Sequence, residues 1–380
     1  MSDHKFYANT VRSVAPGQRI VLSSRRHTRP AHPMTARLGV PMARRAFMAG
    51  GSASILTAGL PATAKPSATL LVSHPAFAQH NPGPFIPERP AREIAIMEAL
   101  AAPAFAALVR HEAPLHGALR EAILRVHAPE YFDMLNGYAS DTPNLPHAFD
   151  LDTVLGDRSW DAALLAVSAG LHAVDCVFDK DGGIRNAFCP VRPPGHHAEA
   201  ARAMGFCFFS NVAIAAKYAC AAHGAERVAV IDFDVHHGNG TQSAFWDEKN
   251  LFYGSTHELP LFPGTGAVSE TGVRNVFNAP LKAGDGTVQF QLAMTERILP
   301  ALDDFRPDLI LISAGFDAHE GDPLAHIRLQ EADFTWITMK VMEIADKHCD
   351  DRIVSMLEGG YVLKDLAHSA SAHVSQLMRV

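Results

Sequence analysis

Charge is scarce in this chain, and so are tryptophan and cysteine. Asp, Glu, Lys and Arg make up 19% of 380 residues, and there are 3 tryptophans and 5 cysteines. Cys176, Cys189, Cys207, Cys220 and Cys349 are odd in number and show no C-x-x-C spacing, which excludes a disulfide framework and a zinc-finger pattern. A net charge of -7 leaves no basic footprint, so direct nucleic-acid binding is not expected. No uninterrupted apolar run reaches the roughly 18 residues of a membrane span, and no internal repeat is visible. What the chain does have is 48% hydrophobic residues, ample for a large core, and 21 histidines, most of them scattered.

Residues 1–66 do not read as a folded domain. The first 41 are rich in Arg, Ser, Pro and His and lack apolar periodicity, as a disordered segment does. Ala43-Arg44-Arg45-Ala46-Phe47-Met48 then leads into a weakly apolar stretch to Leu60 and the small-x-small Ala62-Thr63-Ala64. This resembles a twin-arginine export signal, which would place the folded protein in the periplasm. The alternatives are a basic tail on a cytoplasmic protein, or a true start at Met34 or Met42.

Residues 67–380 read as one domain. Apolar runs at Ala68–Ser73, Asn186–Cys189, Arg227–Ile231, Leu251–Tyr253, Asp308–Ser313 and Arg352–Leu357 predict strands. Helical patterns lie between them at Arg92–Ala101, Glu130–Gly137, Ser159–Phe178, Asn211–Ala222, Thr241–Trp246, Val288–Leu302 and Glu331–Lys347. Alternating strands and helices predict an α/β fold, a parallel sheet covered by helices on both faces.

The chemistry is concentrated after four of these strands. Ile231 runs into Asp232-Phe233-Asp234-Val235-His236-His237-Gly238-Asn239-Gly240, at the strand end where open α/β sheets bind ligands. Residues two apart on an extended chain share a side, so Asp232, Asp234 and His236 face one pocket and His237 points away. A helix cap is the plainer explanation, but a cap needs one polar side chain and this loop has five. Arg192-Pro193-Pro194-Gly195-His196-His197 presents adjacent imidazoles, suited to proton transfer near neutrality or merely solvated. Ser313-Ala314-Gly315-Phe316-Asp317 offers a carboxylate that is either a ligand or a cap. Glu358-Gly359-Gly360-Tyr361 offers a phenol that is either functional or packed. Asp234, His236 and Asp317 together would give a metal three ligands and an open position, the mark of a catalytic ion. Zinc is expected, with Fe(II) or Mn(II) also suited to oxygen-rich ligation. Asp232 and Asn239 would orient the two histidines from behind.

The segments RPPGHHAE, DFDVHHGNG, FPGTG, SAGFDAH and EGGY together resemble the zinc-dependent histone deacetylase family, including acetylpolyamine amidohydrolases and bacterial homologues, over residues 70–378. The asparagine of HHGNG is similar to the class II branch. The resemblance implies a three-layer α/β/α fold with a mostly parallel sheet of about eight strands, the arginase/deacetylase superfold. It implies Asp234, His236 and Asp317 as metal ligands and His196 and His197 as the catalytic pair backed by Asp232 and Asn239. Tyr361 would stabilise the transition state, and Gly205, Phe206 and Phe262 would line the substrate tunnel. Asp141 would be a rim residue gripping the substrate backbone. A monovalent cation, K+, would sit near Asp232, Asp234, His236 and Ser255. The family's His-Pro-Glu stands here as Ile86-Pro87-Glu88, a departure expected to lie away from the chemistry. The implied substrates are acetyl-lysine in peptides or proteins and acetylpolyamines, and the sequence is compatible with an oligomer. Other readings are a non-catalytic acyl-lysine binding module and an arginase-like ureohydrolase. The latter calls for D-x-H-x-D, and this chain has Gly238 at the last position.

Overall fold

The computed structural model describes residues 68–379, together with a short antiparallel pairing of Tyr7–Ala8 with Arg25–Arg26. The segment expected to carry the export signal, residues 43–64, lies outside the described residues.

Eight strands form one sheet: β1 (Ala68–Ser73), β2 (Val109–Glu112), β3 (Ile184–Cys189), β4 (Val228–Asp232), β5 (Leu251–Glu258), β6 (Val276–Leu281), β7 (Leu309–Ala314) and β8 (Ile353–Leu357). Their spatial order is β6-β5-β4-β7-β8-β3-β1-β2, and every neighbouring pair is parallel. The central strands Val-Ala-Val-Ile-Asp, Leu-Ile-Leu-Ile-Ser-Ala and Ile-Val-Ser-Met-Leu are buried throughout, as strands covered on both faces must be. The pleat separates their side chains into two cores. Val228, Val230, Leu309, Leu311 and Val354 meet helices α3 (Ser159–Phe178) and α4 (Asn211–His223). Ile231, Ile310, Ile312 and Ile353 meet residues of α1 (Ala91–Ala99), α6 (Glu331–His348) and α7 (Leu363–Met378) on the other face. The remaining helices needed below are α2 (Pro129–Ser140) and α5 (Asn239–Phe245).

Both edge strands escape a reading by apolar runs, for different reasons. β2 is Val-Arg-His-Glu with three exposed residues, and β6 carries Pro280, a residue a sheet tolerates at its edge. β5 runs five residues past the predicted Tyr253, to Glu258, because its polar half, Ser255 to Glu258, is buried among site residues. The helix expected over Val288–Leu302 contains a π turn at Met294–Ile298, just before Pro300, whose missing N–H breaks the i→i−4 ladder. Helix α3 is long and apolar enough to cross a membrane, with mean hydropathy 1.5, although no run of the sequence is uninterrupted over that length. In this fold 78% of its most apolar window is buried, so it serves as a core helix.

Candidate active site

The parallel register brings four loops to one edge. β4, β7, β8 and β3 are consecutive in space, so the segments after them converge although His196 and Tyr361 lie far apart in the chain. His236 Nδ1 lies 3.1 Å from Asp234 Oδ1 and 3.2 Å from Asp317 Oδ2. The three donors fall within 4.8 Å of one another, and all three residues are buried. Tetrahedral nitrogen and oxygen ligands about 2.0 Å from a zinc ion stand roughly 3.3 Å apart, so this donor set fits such an ion. Its electrostatics fit as well. Burial pushes the His236 imidazole down, but Asp234 and Asp317 outweigh it and raise it to about 10. Carboxylates that hold a proton this firmly suit a divalent cation. The glycines of the motifs make the room: a Cβ on Gly315 would lie 2.0 Å from Asp234 Oδ2, and one on Gly359 2.0 Å from Asp317 Oδ2.

The adjacent imidazoles have unlike partners. His196 Nδ1 faces Asp232 Oδ2 at 3.1 Å, and His197 Nδ1 faces Asn239 Oδ1 at 2.9 Å. Asn239 is fixed in that orientation because its Nδ2 donates to Glu199 Oε1 at 2.9 Å. Burial lowers both rings, but Asp234, Asp232 and Glu358 reverse the effect at His196 and raise it to about 10. At His197 burial and then the charges of His196 and His236 outweigh Asp234 and the bond to Asn239 and hold it well below its ordinary value. The surroundings therefore favour the charged form of His196 and the neutral form of His197, with ring centroids 4.0 Å apart. His237 turns aside, as the alternation predicts, bonding Thr265 Oγ1 and Gln242 Oε1.

Tyr361 is placed by residues that no motif marks. Its N–H donates to Asp322 Oδ2 at 2.7 Å, and its ring lies 5.8 Å from that of Phe206. Arg92, on α1, donates from Nε to Gly360 O at 2.6 Å and from its second amino group to Glu358 O, with its guanidinium 4.8 Å from the Tyr361 ring centre. Arg92 is anchored in turn by Glu88, which also binds Arg192 and His80. The Ile86-Pro87-Glu88 segment is thus not remote from the chemistry: its carboxylate braces the tyrosine loop through one arginine. Glu358 accepts from the N–H groups of Gly195 (2.6 Å) and His196 (3.1 Å), tying the histidine loop to the tyrosine loop.

Gly205, Phe206 and Phe262 do gather at these groups. The Phe262 ring meets His197 edge-on at 5.0 Å and remains 44% exposed. A Cβ on Gly205 would lie 2.4 Å from His197 Cδ2. Phe206 adopts φ 68, costly for a side chain with a Cβ, and Thr153 Oγ1 secures it by accepting its N–H at 3.1 Å. Asp141 behaves differently from the others. It is exposed at the end of α2, and its carboxylate accepts from Asn144 within its own loop at 2.8 Å. Ser255 stands opposite Asp232 in the β4–β5 register and bonds His257 Nδ1 at 2.9 Å. Glu88 stands in a recognisable segment whose bearing on the chemistry the sequence does not show, and Arg92, Thr153 and Asp322 carry no motif at all. Only their burial or their contacts identify them.

Known proteins resemble this chain over most of the domain. Residues 86–377 match a family model described as a histone deacetylase domain. The chain is 35% identical over 300 residues to a probable deacetylase of Archaeoglobus fulgidus, covering 77% of this chain and 81% of that protein. It is 39% identical over 246 residues to a histone deacetylase-like amidohydrolase of Pseudomonas aeruginosa, covering 63% of each. The crystal structure of the HDA15 HD domain superposes with a TM-score of 0.76 at 33% identity, over 82% of this chain and 90% of that one.

Proposed function

From its membership of the histone deacetylase family, to which this chain belongs, we infer a metal-dependent amidohydrolase that removes acetyl groups from acetyl-lysine or acetylpolyamines. The observation that carries the reading is the unequal histidine pair beside the Asp234, His236 and Asp317 donors. A divalent ion held there, zinc by the donor set, would polarise an acyl carbonyl and acidify water.

The side chains supply the rest. His197 donates its Nδ1–H to Asn239, which leaves Nε2 with a lone pair, and its neutral state suits a general base. It takes one proton from water as the C–O bond forms and delivers it to the amine nitrogen as the C–N bond breaks. His196, its charged form favoured by Asp234, Asp232 and Glu358, adds a fixed positive field. The Tyr361 O–H donates to the oxyanion. Phe206 and Phe262 flank a thin aliphatic stem, which selects an acyl group at the end of a linear amine. A single metal is favoured over a dinuclear ureohydrolase centre. Gly238, where a second carboxylate would be needed, donates its N–H to Tyr253, and a Cβ there would lie 2.4 Å from Asp232 Oδ2.

The test is a turnover assay on metal-loaded protein with an acetyl-lysine peptide, acetylputrescine and acetylspermidine, each with a hydroxamate control. Acetate release blocked by hydroxamate is expected, and the faster substrate separates protein from polyamine. Capture of the acetyl-lysine peptide without acetate release would overturn the enzymatic reading in favour of a binding module.

A further inference from the structure

A second group of metal-type donors lies at the other side of the sheet, where β2 is the outermost strand and β7, β8, β3 and β1 separate it from β4. His172 and Cys176 stand four residues apart on α3, so both side chains project from one face of the helix. Most of α3 is buried, but these two residues are only partly covered and stand at the margin of the core. His111, exposed on β2, meets them from the strand. Its Nδ1 lies 3.0 Å from His172 Nε2, and Cys176 Sγ lies 3.6 Å from the same nitrogen.

We propose that His111, His172 and Cys176 form a second metal site, which takes a late first-row divalent ion such as Zn2+ and clips edge strand β2 to helix α3. Three observations carry this. The first is spacing: around a tetrahedral zinc ion, with bonds of about 2.0 Å to nitrogen and 2.3 Å to sulfur, N–N and N–S edges are roughly 3.3 and 3.6 Å. The second is direction. One ring nitrogen of His172 faces both other groups, a crowded hydrogen-bond arrangement but the one that ligands take around a shared ion. The third is the surrounding charge. Asp175, on the same face, is turned to His116, His223 and Tyr218 at 2.8, 2.6 and 2.8 Å, so it is engaged elsewhere yet leaves a carboxylate beside the cluster. Two imidazoles and a thiol select a soft or borderline ion and disfavour Mg2+ and Ca2+. The mechanical role follows from the strand: among the described residues β2 pairs only with β1 and exposes three of its four residues, so beyond Val109 against the core, Arg110 on Leu100 O and Glu112 on His74, a link from His111 to α3 adds a further hold.

Co2+ titration of the full chain after chelation is the test, because a thiolate ligand gives cobalt an intense charge-transfer absorption that the Asp, His and Asp site, which has no sulfur, does not produce. The expected result is two equivalents bound, one of them developing that absorption at sub-micromolar affinity. Cys176→Ser and His111→Ala should each lose the absorption and one equivalent while acetate release is unchanged, and excess Zn2+ should raise the melting temperature of the parent protein further than that of either variant, which keeps only the buried site. A single equivalent, a second equivalent without the sulfur absorption, or an absorption that survives Cys176→Ser would each overturn the proposal. His111 is exposed and the serine is nearly isosteric, so both variants are expected to fold.

Discussion

Two donor clusters in one chain, each of three residues, differ in almost every physical respect. Asp234, His236 and Asp317 are buried, share strand-end loops, and are enclosed by glycines whose missing side chains make room for carboxylates. His111, His172 and Cys176 lie at a surface where a helix face meets an edge strand. The first has two carboxylates, and the Tyr361 phenol stands in the loop after neighbouring strand β8. The second has a thiol and neighbouring imidazoles. A metal in the first would act on a substrate, with the rings of Phe206 and Phe262 standing near it; a metal in the second would only join two elements. The lesson is that ligand identity names a metal, while the walls around the ligands name its work.

That contrast can be broken by mutation, and the largest effect belongs to the buried cluster. His236→Ala should abolish one metal equivalent and lower kcat/KM by at least about 10³, as loss of several kcal/mol of charge stabilisation requires, while the sulfur-linked cobalt absorption stays. Metal analysis and spectroscopy on the same sample check both halves. Tyr361→Phe should lower kcat by about 10²–10³ with both equivalents retained, since it removes one oxyanion donor. Asn239→Ala should cost about 10–100-fold, through loss of the acceptor that fixes His197; steady-state kinetics would show it mainly in kcat.

A pH series probes histidines that belong to neither cluster. His127 and His373 are buried and neutral, lowered to about 4 and about 3 by burial. Between those values and 6.5 the unfolded chain binds protons that the folded chain refuses. Their contribution is therefore complete above pH 6.5 and is lost as pH falls, by on the order of 2 kcal/mol per histidine at pH 5. Denaturant melts at pH 7 and 5 measure it; equal midpoints would contradict their burial as neutral rings. The smallest effect is expected at the surface cluster, where Cys176→Ser should leave acetate release within about twofold, because surface changes away from a site are usually mild.

The sequence discloses the central sheet and the reactive loops for one reason. In a buried parallel strand the apolar run is unbroken, so the polar residues that follow it stand out, as Asp232 does after Ile231 and Asp317 after Ser313. The same logic hides the edges, since β2 has no apolar run to notice and β6 is interrupted by Pro280. It also hides support that comes from a distance. Arg92 acts on carbonyls 266 and 268 residues away, and nothing local in Arg-Glu-Ile-Ala announces it. Thr153 looks like any loop threonine until Phe206 is seen bonding to it with a positive φ. His172 and Cys176 are legible as a helical pair, but their third partner is 61 residues upstream on the least legible strand.

The strand order also governs how the molecule can be made. β8 lies between β7 and β3 and is the last of the eight to be synthesised. Until Ile353–Leu357 leaves the ribosome, the chain can build only two separate half-sheets, β2-β1-β3 and β6-β5-β4-β7, each ending in an apolar edge with unpaired backbone groups. Such edges invite pairing with other chains. The sheet is therefore most exposed to such pairing before β8 arrives, and the strand that bears Tyr361 at its end is also the keystone whose arrival closes it.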